Sequence, residues 1–152
     1  MTEASPILEI DHLSLRVDGE TLVDDVTVDV PRGELVAIVG PSGAGKSSFL
    51  RLLNRLTEPT EGRVRLDGQD TREIPPPELR RRVGMMMQTP YLFPGSVAEN
   101  VRFGPEQRGE TLDDATVDRL LTRVGLDDYA DRAVHNLSVG EAQRVSLARI
   151  LA

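Results

Sequence analysis

The 152-residue sequence has no cysteine and no tryptophan, and its aromatic residues are limited to three Phe and two Tyr. Without cysteine there are no disulfides and no thiolate metal sites, a composition that fits a cytosolic chain. There is no run of eighteen apolar residues, so no segment is expected to span a bilayer. Residues 1–10 carry acids and a proline rather than a basic stretch followed by an apolar one, so no signal peptide is expected. The 18 basic residues are outnumbered by 25 acidic ones, giving a net charge of −7, which argues against a large nucleic-acid footprint. The length suits one ordinary domain with a sizeable core.

Lysine is almost absent as well. The chain has one, Lys46, and every other member of its 18 basic residues is an arginine. Either a GC-rich genome or a surface adapted to high salt accounts for that bias, but neither accounts for the exception. Lys46 stands in Gly40-Pro41-Ser42-Gly43-Ala44-Gly45-Lys46-Ser47, a complete G-x-x-x-x-G-K-[ST] loop. An ammonium is a compact point charge suited to phosphate oxygens, a task that the planar guanidinium does less well. The three glycines let the backbone turn its N–H groups inward as an anion nest. The helix that follows aims its positive end at the same place. The loop therefore points to a nucleoside triphosphate, with Lys46 on its β- and γ-phosphates and the Ser47 hydroxyl on Mg2+.

The flanking sequence has the elements that such a loop requires. Residues 7–17 and 22–30 read as two strands joined by a turn at Asp18-Gly19, and in the second Val26, Val28 and Val30 form an apolar face. Residues 35–39 are a short apolar run ending at Gly40, as expected of a buried parallel strand. A helix opens at Lys46 or Ser47 and runs through Leu56, stopped by Thr57-Glu58-Pro59. Residues 62–66 form another strand before the turn Asp67-Gly68. Pro75-Pro76-Pro77 is either a stiff linker or a helix start with Pro77 in the first position. Residues 83–87 read as an apolar strand delivering Gln88 to a loop. The rest is helical in texture, with capping boxes at Ser96-x-x-Glu99 and Ser138-x-x-Glu141 and a similar pattern at Thr111-x-x-Asp114. The predicted fold class is therefore α/β, a P-loop core with N-terminal antiparallel strands and a mostly helical subdomain. The expected division is residues 1–89, strands and phosphate loop, and residues 90–152, helical and ending in the Ser138 helix.

Two later segments make the loop more specific. Gln88 lies 42 residues after Lys46, and Leu137-Ser138-Val139-Gly140-Glu141-Ala142-Gln143-Arg144 opens a helix about fifty residues further on. In that order and spacing the chain resembles the nucleotide-binding subunit of ATP-binding cassette (ABC) transporters over nearly its whole length. The resemblance identifies Gly40, Pro41, Ser42, Gly43, Ala44, Gly45, Lys46, Ser47 and Ser48 as Walker A, Gln88 as the Q-loop glutamine, and residues 137–141 as the signature. It implies ATP and Mg2+ as ligands, with Gln88 at the metal or the attacking water. It also implies Ser138 and the Gly140 N–H on the γ-phosphate of ATP held by a second nucleotide-binding subunit. The implied partners are that second subunit and a transmembrane permease, with the protein peripheral on the cytoplasmic face of the cell membrane and no nucleic acid involved. Residues 91–101 fall where the family docks its membrane partner, although Leu92 and Phe93 read better as subdomain core. Residues 54–59 and 91–101 are similar to phosphate-import or metal-export ATPase subunits.

The chain departs from the family pattern in three places. The position of the adenine-stacking aromatic falls at Val17, with Arg16 beside it as a weak alternative. The signature carries Val139 and Glu141 where glycine and glutamine are common. The resemblance also stops before Walker B and the switch histidine. His12 and His135 stand upstream of the signature and read as ordinary surface histidines without ligand partners. Phosphoryl transfer rests on metal and water positioning, so residues 1–152 alone are expected to bind nucleotide weakly, to hydrolyse it negligibly and to behave poorly in solution. Two alternatives stay open: a catalytically dead remnant with residual nucleotide binding, and a soluble ABC-class ATPase of DNA repair or translation.

Overall fold

In the computed structural model, residues 5–152 are described; residues 1–4, on which part of the signal-peptide expectation falls, lie outside them. The chain forms two compact units, Met1–Met85 and Met86–Ala152.

The first unit is built on a four-stranded antiparallel sheet, β1 (Leu8–Val17), β2 (Glu20–Val30), β3 (Glu61–Leu66) and β4 (Gln69–Asp70), in the order β2-β1-β3-β4. Both hairpins turn on Asp-Gly pairs with positive φ at each residue, +51° and +84° at Asp18-Gly19 and +51° and +78° at Asp67-Gly68. This is the mirror-image two-residue turn that matches the twist of paired strands. Strict alternation along β1 would place His12 on the same face as Ile10. Instead His12 adopts φ +48° and Asp25 on β2 φ +46°, and the register shifts between Ile10 and Leu13. The resulting bulge turns His12 to solvent and sends Leu13 and Leu15 into the core with Ile10. His12 is not the solitary histidine expected from sequence: its Nδ1 lies 2.6 Å from Asp25 Oδ1, and that carboxylate raises its pKa above the ordinary histidine value.

Helix α1 (Lys46–Leu53) packs Leu52 and Leu53 against the sheet residues Ile10, Leu13 and Val64. It ends at Leu53, short of the expected Leu56, because Arg55 turns left-handed at φ +54°. There the Arg55 guanidinium donates to the carbonyls of Thr71 and Ile74 at 3.0 and 3.3 Å. Helix α2 (Pro76–Arg82) begins on the proline triplet with Pro75 as N-cap and Pro76, not the expected Pro77, in the first position, so that segment is a helix start and not a linker. A proline in the first turn sacrifices only an N–H that has no intrahelical partner.

Two expected strands, the first of them read as parallel, are not formed. Residues 35–39 and 83–87 have no strand assignment, and Leu35 and Val39 are 99% and 88% exposed. A strand needs a hydrogen-bonded neighbour for its backbone groups, and none of the described strands pairs with either segment.

The second unit is helical: α3 (Val97–Gln107), α4 (Asp114–Arg123) and α5 (Val139–Leu151). Val101, Val117, Leu121, Leu126 and Val145 close its core, with Leu92 packed against it. Phe93 stacks on Phe103 at 4.1 Å between ring centroids. Capping boxes occur at Ser96/Glu99 and Ser138/Glu141 as the sequence predicts. The third expected cap falls elsewhere. Asp113, not Thr111, begins α4 and accepts from the Thr116 N–H at 2.8 Å.

Candidate phosphate-binding loop and signature helix

The loop of residues 40–45 leads into α1 through Gly45, which takes φ +78° as the helix N-cap. Glycine is required there for two reasons. The left-handed conformation disfavours side chains, and a Cβ would lie 1.9 Å from the Leu22 carbonyl oxygen of β2. That contact seats the loop against the sheet. Gly43 is also left-handed, at φ +85°, but a Cβ there would meet nothing within 4 Å.

The end of α1 is chemically distinct from the other helix starts. Helices α3, α4 and α5 each have a side-chain acceptor over their first turn, and α2 opens with prolines. Helix α1 has no side-chain cap and no acid in its first turn. Its leading N–H groups therefore lack the usual intramolecular acceptor, an arrangement suited to an external anion. Lys46 Nζ donates to the carbonyls of Gly40 at 2.9 Å and Pro41 at 2.7 Å. The ammonium thus lies over the loop it belongs to, with two of its three donors engaged. Ser47, in the first turn of α1, is exposed. The donor set of backbone N–H groups, one ammonium and one hydroxyl fits a triphosphate with its metal.

An apolar groove of about 710 Å³ runs beside this loop, lined by β2 residues such as Val26 and Val28, by Val36 and Ile38, and by Phe49 and Leu50 of α1. Ala44, Gly45 and Lys46 of the loop also line it, and the rest of its walls are mostly apolar. Arg16 donates to Glu61 at 3.2 Å, so its guanidinium has a partner on the protein surface.

In the second unit, Gln88 is exposed in the irregular segment before Tyr91, and its carbonyl accepts from Gln143 Nε2 of α5 at 3.3 Å. Arg149, six residues further along α5, donates to the Tyr91 carbonyl at 2.7 Å and lies over the Phe93 ring. Burial lowers the Arg149 pKa. Ser138 is the N-cap of α5, and Val139 and Gly140 follow it exposed on the first turn. Glu141 closes the capping box and also accepts from the Tyr129 hydroxyl at 2.5 Å. The hydrogen bonds of Tyr129 and Ser138 hold its carboxyl at about 2. Arg149 and Tyr129 are not marked by anything local in the sequence: their partners lie 58 and 12 residues away. His135 is exposed in a short 3-10 turn. Among the described residues no group of three His, Cys, Asp or Glu side chains is placed to hold a metal ion, and no helix is long and apolar enough to cross a membrane.

Comparison with known proteins agrees with this description. A family model described as ABC transporter matches residues 23–152. The chain is 54% identical over 136 residues to ABC transporter I family member 17 of Arabidopsis thaliana, covering 89% of this chain and 52% of that protein. It is 49% identical over 152 residues to Protein STAR1 of Oryza sativa subsp. japonica, covering 98% and 44%. Among solved structures it is similar to a bacterial Atm1-family ABC exporter with ATP bound. The TM-score is 0.86 and the identity 32%, covering 99% of this chain and 28% of that one. The chain spans about half the length of the two plant relatives.

Proposed function

The chain belongs to the ABC transporter family, with the P-loop NTPase (RecA-like) fold, an N-terminal antiparallel sheet and a helical subdomain, and from that premise we propose that it is the nucleotide-binding part of a transport ATPase. The observation that carries this reading is the start of α1, a helix end with no side-chain cap and a single lysine folded over it. In this reading residues 40–48 hold the triphosphate of ATP. The backbone N–H groups of Gly43, Ala44 and Gly45 and those of the first turn surround the phosphates. Lys46 leaves the carbonyls of Gly40 and Pro41 for the β- and γ-phosphate oxygens, exchanging neutral acceptors for charged ones, which form the stronger bond.

The Ser47 hydroxyl would hold Mg2+, which when bound offsets phosphate charge and orients the transferred group. Ser138 and the Gly140 N–H act on ATP held by a second nucleotide-binding subunit, and closure of the pair moves a transmembrane permease. The protein then works at the cytoplasmic face of the membrane, with residues 1–89 carrying the loop and residues 90–152 the signature helix. Residues 54–59 and 91–101 favour phosphate or another inorganic ion as cargo. Lys46→Ala tests the assignment: in the full-length protein ATPase activity collapses, and retention of most of it removes residues 40–48 from the mechanism.

A further inference from the structure

Glu141 stands in the first turn of α5, where its negative charge faces the approach of any anion to that helix end. Both carboxylate oxygens are occupied by donors. Oε2 accepts from the Ser138 backbone N–H and from the Ser138 hydroxyl, each at 2.7 Å, and Oε1 accepts from the Tyr129 hydroxyl at 2.5 Å. The Arg132 guanidinium lies 3.8 Å from the centroid of the Tyr129 ring. The Ser138 hydroxyl has one proton, and here it is donated to Glu141. Its oxygen meanwhile accepts from the Glu141 N–H at 3.3 Å.

We propose that Glu141 is an internal competitor for the Ser138 hydroxyl, and that Tyr129 is the positioning residue that allows it to release that proton to nucleotide. The inference rests on the reading of Ser138 as a contact to ATP on a second subunit. For that contact to form, the Ser138 proton must leave Oε2, and the carboxylate must stay compensated as a phosphate comes near. Tyr129 holds the other oxygen throughout and Arg132 adds positive charge from behind the ring, so the carboxylate can lose one donor without losing all of them. Removing the Tyr129 hydroxyl concentrates the charge on Ser138. Replacing the carboxylate with a neutral amide of the same shape keeps an acceptor but removes its charge, so the competition for the Ser138 proton weakens.

The test measures association of the purified full-length protein, by sedimentation, against the concentration of a non-hydrolysable ATP analogue with Mg2+. Thermal midpoints are recorded in parallel. Glu141→Gln is expected to lower the half-saturating concentration, and Tyr129→Phe to raise it about threefold or more, in line with loss of a hydrogen bond to a charged group at a partly exposed site. Tyr129→Phe in the Glu141→Gln background should have little further effect. A purely structural cap predicts the opposite sign for Glu141→Gln and the same Tyr129→Phe effect in both backgrounds. Either result overturns the inference, while Ser138→Ala weakening the association would keep the signature reading intact. If the analogue causes no association, or Ser138→Ala changes nothing, the signature reading itself fails and the inference falls with it.

Discussion

Gly45 and Gly43 differ by two positions in one loop, and replacing each with alanine separates two physical effects. Both have left-handed φ, +78° and +85°, so each alanine carries a conformational cost of about 1–2 kcal/mol. Gly43 meets no other atoms, and its cost should stop there. At Gly45 the new Cβ would fall 1.9 Å from the Leu22 oxygen and 3.1 Å from the Leu22 carbonyl carbon. Backbone rather than a flexible side chain must then move, by more than about 1 Å, to restore an ordinary van der Waals separation of roughly 3.5 Å. Overpacking of this kind adds about 1–3 kcal/mol, for a total of roughly 2–5 kcal/mol. Denaturant midpoints of the full-length protein measure the difference, and titration with an ATP analogue measures its effect on the loop. Gly45→Ala should lose clearly more stability than Gly43→Ala, together with most nucleotide affinity. Equal losses within about 0.5 kcal/mol, the ordinary scatter between surface substitutions, would refute the close approach of the loop to β2.

Asn100 is 1% exposed, accepts from the Phe93 N–H and donates to the carbonyls of Phe93 and Ser96. Asn100→Ala strands buried backbone groups and should cost about 2–4 kcal/mol by chemical denaturation. Ser96→Ala removes a helix cap alone and should cost about 1 kcal/mol in the same assay. Asp70 is held at about 2 by its hydrogen bonds to Arg72, below the ordinary 3.8. Its contribution is therefore complete above about pH 4 and disappears as pH falls through 2, and Asp70→Asn should flatten the acid limb of a stability-versus-pH curve over that window. Residues 1–152 produced by themselves should self-associate through the apolar surface that includes Leu35 and Val39. Sedimentation that returns a monodisperse monomer would contradict this.

The features legible in the sequence are those whose cause lies within a few residues. Asp-Gly turns demand positive φ at both positions, Ser-x-x-Glu supplies its own reciprocal cap, and G-x-x-x-x-G-K-S carries both the flexible backbone and the charge for phosphate. The β1–β2 hairpin, the Asp67-Gly68 turn, the Ser96 and Ser138 caps and the start of α1 followed from those patterns directly. The apolar runs at residues 35–39 and 83–87 were misread because a strand is a property of its partner as much as of its own residues. Local composition cannot supply the neighbouring hydrogen bonds. The end of α1 at Leu53 was likewise decided at a distance, by the carbonyls of Thr71 and Ile74 that Arg55 bonds. The phase shift in β1 depended on Asp25 across the hairpin, and the place of Tyr129 over Glu141 depended on how α5 packs in its own unit. Sequence by itself determined the glycine-rich loop ahead of α1 and the family; tertiary structure decided which backbone groups are paired and what surrounds each charge, because those are set by residues far apart along the chain.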